Sequence, residues 1–246
     1  MPIGPWRRTV RYWISRVVVA ILARGYLRIR VLDRLLLPAG PAIYCFNHLG
    51  WVDPFVLMAV LPFRPRLYFF GPKEQDMHVG GRNRIMAWTG ATIPYRPGKD
   101  DLLGATRRVS AVIAAGGVVA IAGEGRIHAS ESELWPLNDG PAYFALRNRI
   151  PIVPIAINGT SWLHLGGRVT VRVGEPIAAE DRPSREAVDA LTRRTWDALH
   201  ALVRDAPETQ VPGRVGRWVT DRFNDWPEGS REATLAAGAP HRLEGG

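Results

Sequence analysis

The sequence has a single cysteine, Cys45, among 246 residues, which excludes an intrachain disulfide and is consistent with a reducing compartment. Nor does the N-terminal stretch Trp13 to Ala23 make a long hydrophobic run. It is apolar except for Ser15 and Arg16, and it falls far short of the roughly 20 residues a spanning helix needs. No clean small-residue cleavage site follows it, and arginines resume at Arg24, which argues against a secretory signal. Acidic residues are missing from the first 32 positions, which hold seven arginines. There is no clear GxSxG elbow or complete nucleophile triad, and no zinc, helix-turn-helix or RNA-recognition pattern. Glycine and proline are plentiful but have no repeat period, which excludes a fibrous protein.

What is present is a basic, apolar-rich chain. Lys+Arg 32 against Asp+Glu 23 gives a net charge of +9, carried nearly all by arginine. Such a surface attracts nucleic acid, anionic lipid or a phosphorylated metabolite. Hydrophobic residues make up 46%, enough for a real core, and the length fits one α/β domain with small additions. The basic N-terminal segment reads either as an interfacial helix, apolar side chains in the lipid and arginines at the headgroups, or as a core helix; one helix can play both parts.

Residues 6 to 31 read as one helix or two. Short apolar runs at 41–46, 67–70, 91–95, 118–122, 152–157 and 169–173 read as strands. Helical patterns fall at 54–61, 80–89, 101–115, 140–147 and 184–203, with Asp53 and Asp181 as expected caps and Pro54 at a first helical position. Strands alternating with helices predict an α/β fold: a mixed, largely parallel central sheet flanked by helices, behind an N-terminal basic amphipathic segment. The expected division is residues 1–35 for that segment, 36–223 for the α/β domain and 224–246 for a loosely held tail.

Four stretches carry candidate chemistry. The first is Asn47 to Asp53, NHLGWVD, behind the apolar run ending at Phe46. Folded back, Asp53 would accept from one ring nitrogen of His48 and leave the other as a base. Alone, the pair is equally a polar turn after a buried strand. Cys45 lies inside the apolar run and reads as core, so the base would act on an external hydroxyl. The second stretch runs from Gly90 to Arg96, with Lys73, Arg82 and Arg84 upstream; Arg96 is either a phosphate-binding fork or a surface arginine. In the third, Gly123, Glu124, Gly125 and Arg126 follow the run VVAIA, and the glycines let backbone approach a ligand. The fourth, Val153 to Gly159, is either a wall for an acyl chain or an ordinary core strand.

Taken in order, these stretches resemble the four blocks of the glycerolipid acyltransferase family, of the lysophosphatidic-acid acyltransferase type. Asn47 to Asp53 matches the NHxxxxD block fully, and Gly90 to Arg96 looks like the phosphate-binding block. Glu124 and Gly125 match a PEGTR-like block, from which this chain departs by lacking the threonine and bringing Arg126 one place early. Val153 and Pro154 resemble the apolar VP block. Asn138 to Gly140 stands where the family often has a lysine near a glycine.

The resemblance implies an O-acyltransferase in which His48 deprotonates the hydroxyl of a lysophospholipid and Asp53 orients His48. Arg96 would hold the acceptor phosphate, with Arg126 as a second contact; Glu124 and Gly125 would help position the acceptor. Acyl-CoA or acyl-carrier protein would donate the acyl group, with no metal or other cofactor. The expected acceptor is 1-acyl-sn-glycerol-3-phosphate, with another lysophospholipid or polar lipid as the alternative, because both departures touch acceptor recognition. The expected setting is peripheral, on anionic lipid at the cytoplasmic face of the cell membrane. A basic protein binding membrane or nucleic acid without catalysis is the non-enzyme alternative; nucleic acid is not the expected partner.

Overall fold

In a computed structural model of the chain, described over residues 5–72, 86, 88–95 and 101–224, a seven-stranded sheet lies between two layers of helices. In chain order the strands are β1 Leu27–Leu32, β2 Ile43–Phe46, β3 Leu67–Pro72, β4 Thr92–Tyr95, β5 Val118–Ala122, β6 Ile152–Asn158 and β7 Gly167–Val173. The helices are α1 Pro5–Tyr26, α2 Asp53–Val60, α3 Leu102–Ala114, α4 Gly140–Asn148, α5 Arg185–Val203 and α6 Arg214–Asp221. The sheet order is β1-β7-β6-β2-β5-β3-β4. Five strands, β6 to β4, run parallel; β7 is antiparallel to β6, and β1 pairs parallel with β7. This is the mixed, largely parallel α/β sheet expected.

β2 lies in the middle of the sheet and is buried along its whole length, which is why IYCF shows no polar alternation. Its side chains divide between two cores. Tyr44 and Phe46 join a cluster with α1 and α2, whereas Ile43 and Cys45 join one with α3, α4 and α5.

Several boundaries differ from expectation. The basic segment is not helical to residue 31: the helix ends at Tyr26, and LRIRVL alternates Leu27, Ile29 and Val31 with Arg28 and Arg30, a period of two that pairs with β7. The cap of α5 is Ser184, whose hydroxyl accepts from Ala187 N at 3.1 Å, and not Asp181. α6 carries no expectation from the sequence. Most of the helix expected at 80–89 lies outside the described residues.

α1 packs on α2 and buries Tyr12, Ser15 and Arg16 beside the inward apolar side chains Val19 and Ala23. Arg16 is fully buried; it donates to Leu61 O at 2.6 Å and Pro62 O at 3.3 Å, and its guanidinium lies 4.9 Å from the Phe63 ring. Arg24 donates to Ala59 O at 2.6 Å. Two cations thus meet the carbonyls left unpaired at the C-terminal end of α2, where the helix dipole is negative. Turning Arg16 inward turns Trp6, Ile14, Val17, Val18, Ile21 and Leu22 outward. No described helix is long and apolar enough to cross a membrane.

Arg16→Met keeps the volume but leaves the α2 carbonyls unpaired, and is expected to lower the unfolding free energy by about 1–3 kcal/mol. Arg24→Gln should cost less, because Arg24 is exposed. Urea unfolding followed by circular dichroism reads both.

Candidate active site

Because β5 and β6 flank β2 in parallel, the loops leaving all three strands emerge at one edge of the sheet. In open α/β sheets this carboxyl edge is where ligands bind. At the end of β2, Asn47 prolongs the pairing with its side chain: its Nδ2 donates to Ile157 O at 2.9 Å and its Oδ1 accepts from Ile157 N at 2.7 Å. The chain then leaves the sheet, and His48 is the first residue free of the ladder.

Asp53, expected to cap α2, does not. It is the first residue of that helix, and its carboxylate turns back into the loop. Oδ2 accepts from Leu49 N at 2.8 Å and Gly50 N at 3.0 Å, and lies 2.8 Å from His48 Nδ1. Oδ1 accepts from the Thr160 hydroxyl at 2.6 Å. Three other donors already engage this carboxylate, which has no exposed surface and as a carboxylate only accepts, so the tautomer that fits the 2.8 Å contact carries its hydrogen on Nδ1. Nε2 is then left with a free lone pair, on a side chain that keeps 16% of its surface open.

The backbone of His48 is tied to the loop after β5. His48 N donates to Glu124 Oε2 at 2.8 Å, and His48 O accepts from His128 N at 3.1 Å. Glu124 Oε1 accepts from Trp135 N at 2.8 Å and lies 2.9 Å from His128 Nε2. Its side chain has no exposed surface. The Glu124 carboxylate, expected to help position an acceptor, contacts protein groups that hold the backbone of His48. Burial opposes a charge on His128, but the Glu124 carboxylate, helped by Glu133 and Glu131, outweighs it and holds the imidazole above its ordinary pKa.

Gly125 adopts a left-handed φ of 71°, and a side chain there would run into Asn138. Arg126 is exposed, its guanidinium 4.7 Å from the Trp135 ring, at the rim of the same loop. Arg96, with Lys73, Arg82 and Arg84, lies outside the described residues. Cys45 is fully buried in β2, and burial followed by the charge of Glu124 pushes its thiol well above the usual range, so it supplies no thiolate. Among the described residues there is no cluster of side chains able to hold a metal ion.

Three parts of the site carry no expectation of a site role from the sequence. Thr160 reaches Asp53 from 107 residues away. Glu131, fully buried at the head of a polar network, accepts from Gly159 N at 2.7 Å and from the hydroxyls of Ser161 and Thr209 at 2.6 and 2.7 Å, fixing the loop that carries Thr160. Asn224, expected at the start of a loosely held tail, is buried and accepts from Trp51 N at 2.7 Å. The Trp51 indole donates to Val219 O at 3.1 Å. The sequence offers one faint signal for Thr160, its place directly after the Asn158–Gly159 turn, and none for Asn224.

No curated protein matches the sequence. Among solved structures, the fold is similar to that of the 1-acyl-sn-glycerophosphate (LPA) acyltransferase PlsC from Thermotoga maritima. The TM-score is 0.58 at 13% identity, over 84% of this chain and 86% of that one, so the likeness is one of fold. A model of the Acyltransferase family matches residues 28–158, a span that holds both His48 and Asp53. The chain belongs to the acyltransferase family.

Proposed function

We propose that the protein transfers a fatty acyl group from acyl-CoA or acyl-carrier protein to the hydroxyl of a lysophospholipid, 1-acyl-sn-glycerol-3-phosphate above others, giving phosphatidic acid. The observation that carries this reading is the His48–Asp53 pair, with Nδ1 held at 2.8 Å and Nε2 open, and, among the described residues, a neighbouring Cys45 whose thiol is not activated. His48 Nε2 takes the proton of the acceptor hydroxyl as that oxygen attacks the thioester carbonyl. Collapse of the tetrahedral adduct expels the thiolate, which recovers the proton from His48. Ester and free thiol are the products, and no acyl-enzyme forms. Asp53 and Thr160 act through His48: they hold its tautomer and balance the charge that appears on the ring.

Recognition of the acceptor phosphate is assigned to Arg96, with Arg126 as the second cation, on the family resemblance of these stretches. The activity for which the Thermotoga maritima enzyme is named supports the choice of acceptor. The departure of this chain at Gly123 to Ile127 keeps a different lysophospholipid or polar lipid as the second reading. The outward apolar face of α1 supports a peripheral seat on anionic lipid at the cytoplasmic face of the membrane.

His48→Ala should lower acyl transfer by about 10²–10⁴-fold with the fold retained on circular dichroism. Asp53→Asn should act in the same direction. Unchanged turnover in His48→Ala would sink the general-base assignment. Thr160→Val removes a hydrogen bond to a charged group and is expected to lower kcat roughly tenfold or more, with Thr160→Ser restoring most of it and KM moving little.

Acceptors with and without phosphate, offered with each donor and read by product mass, test recognition. Arg96→Ala should raise KM for phosphate-bearing acceptors by roughly 10–100-fold, the size of a charged hydrogen bond, and leave the others unchanged. Equal use of both acceptor types by the wild-type protein would refute the phosphate assignment.

A further inference from the structure

α6 has two unlike faces. Inward, Gly216 and Thr220 are buried. Thr220 Oγ1 accepts from Leu163 N at 2.8 Å, in the loop that also carries Thr160, and Gly216 lies so close to Leu163 O that a side chain would collide with it. From the same helix Val219 O accepts the Trp51 indole, and just past its end Asn224 accepts from Trp51 N. The Phe223 ring also lies against Trp51, with ring centroids 5.1 Å apart. The inner side of α6 therefore grips the loop between His48 and Asp53.

Outward, Val215 and Trp218 lie three residues apart on one face and are 75% and 64% exposed, and exposed Val211 stands just before the helix. Arg222 extends this face, and Arg214 lines its edge; both are exposed. Asp221 is the one acid on the helix. Val219 packs against the same core cluster as Trp13, Val19 and Ala23 of α1, so α6 belongs to the helix layer whose outer surface is already apolar.

We propose that this outer face of α6 is a second docking surface for anionic phospholipid, which seats the catalytic loop directly at the bilayer. The inference rests on the acyl-transfer reading, since it supposes an amphiphilic acceptor drawn from a membrane. Exposed valine and tryptophan gain by leaving water, and the arginines beside them select negatively charged headgroups over neutral ones. Residues 225–246 contain three large apolar side chains, Trp226, Leu235 and Leu243, among small and polar residues. Because one helix touches lipid outside and Trp51 inside, docking and loop geometry are coupled through a single rigid element.

The test uses site-specific fluorescence. Cys45 is fully buried, so Val215→Cys labelled with an environment-sensitive dye reports α6 alone, and Ile14→Cys reports α1. Vesicles of phosphatidylcholine with phosphatidylglycerol should shift the Val215 label to the blue, and vesicles of phosphatidylcholine alone should do so much less. Arg214→Gln and Arg222→Gln should each weaken vesicle binding roughly fivefold, with the fold unchanged. A Val215 label that stays aqueous while the Ile14 label shifts would overturn the proposal and leave membrane docking by α1 standing. A Val215 label already shielded without vesicles would assign the face to this chain's own C-terminal residues and overturn it too. Salt-sensitive binding of duplex DNA in place of vesicles would reassign the surface to nucleic acid. Acyl transfer, read by product mass on the same unlabelled samples, separates failure of α6 docking from failure of the enzymatic reading.

Discussion

The carboxylate of Asp53 is the fixed point of the structure. A charge with no exposed surface is tolerable only when its oxygens are fully engaged, and Asp53 engages two loop amides, the Thr160 hydroxyl and the His48 ring. Those four donors come from two strand-end loops, so satisfying one carboxylate sets the position of each loop relative to the other. The position of Asp53 at the start of α2 adds the positive end of the helix dipole, and the buried guanidinium of Arg16 meets the negative end. α2 is thus an electrostatic strut with a charge placed at each terminus. Movement of either end would leave a buried group unpaired.

The same device recurs along the carboxyl edge of the sheet. Glu124 holds the backbone of His48 to the loop after β5, and Glu131 holds the loop after β6 to the segment around Thr209. Burial pushes the pKa of Glu131 up, while its hydrogen bonds from Ser161, Thr209 and Gly159 pull it back. Buried carboxylates surrounded by backbone N–H groups cost stability unless every partner is in place. At a site that must keep an imidazole in one tautomer, that cost secures a single geometry.

The distribution of polarity also separates chemistry from docking. In one helix layer α2 buries Val56 to Val60, while α1 buries Arg16 and α6 buries Thr220, and both α1 and α6 leave large apolar side chains exposed. The opposite layer, α3 to α5, follows the ordinary arrangement, with Val188, Leu191 and Leu199 of α5 buried. Since α2 begins with Asp53 and α6 ends beside Trp51, the layer with the exposed apolar side chains is also the one that borders the His48–Asp53 loop.

Strand positions, the α/β class and the spacing of His48 and Asp53 are legible in the sequence because they are local properties, written in runs of five to ten residues where periodicity and covalent reach suffice. The local pattern misleads where it has two solutions. Asp53 before Pro54 fits a helix cap, yet the carboxylate finds stronger use in the loop, and LRIRVL fits a continued basic helix, yet pairing with β7 makes it a strand. Thr160, the structural duty of Glu124, and the grip of Asn224 on Trp51 span 107, 76 and 173 residues. Those contacts depend on strand order and on how tightly buried charges must be satisfied, and neither is encoded in local spacing. By itself the sequence determined that a histidine and a carboxylate lie five residues apart behind a buried strand; only the tertiary structure decided what holds them still, because that depends on which strand ends the sheet brings side by side.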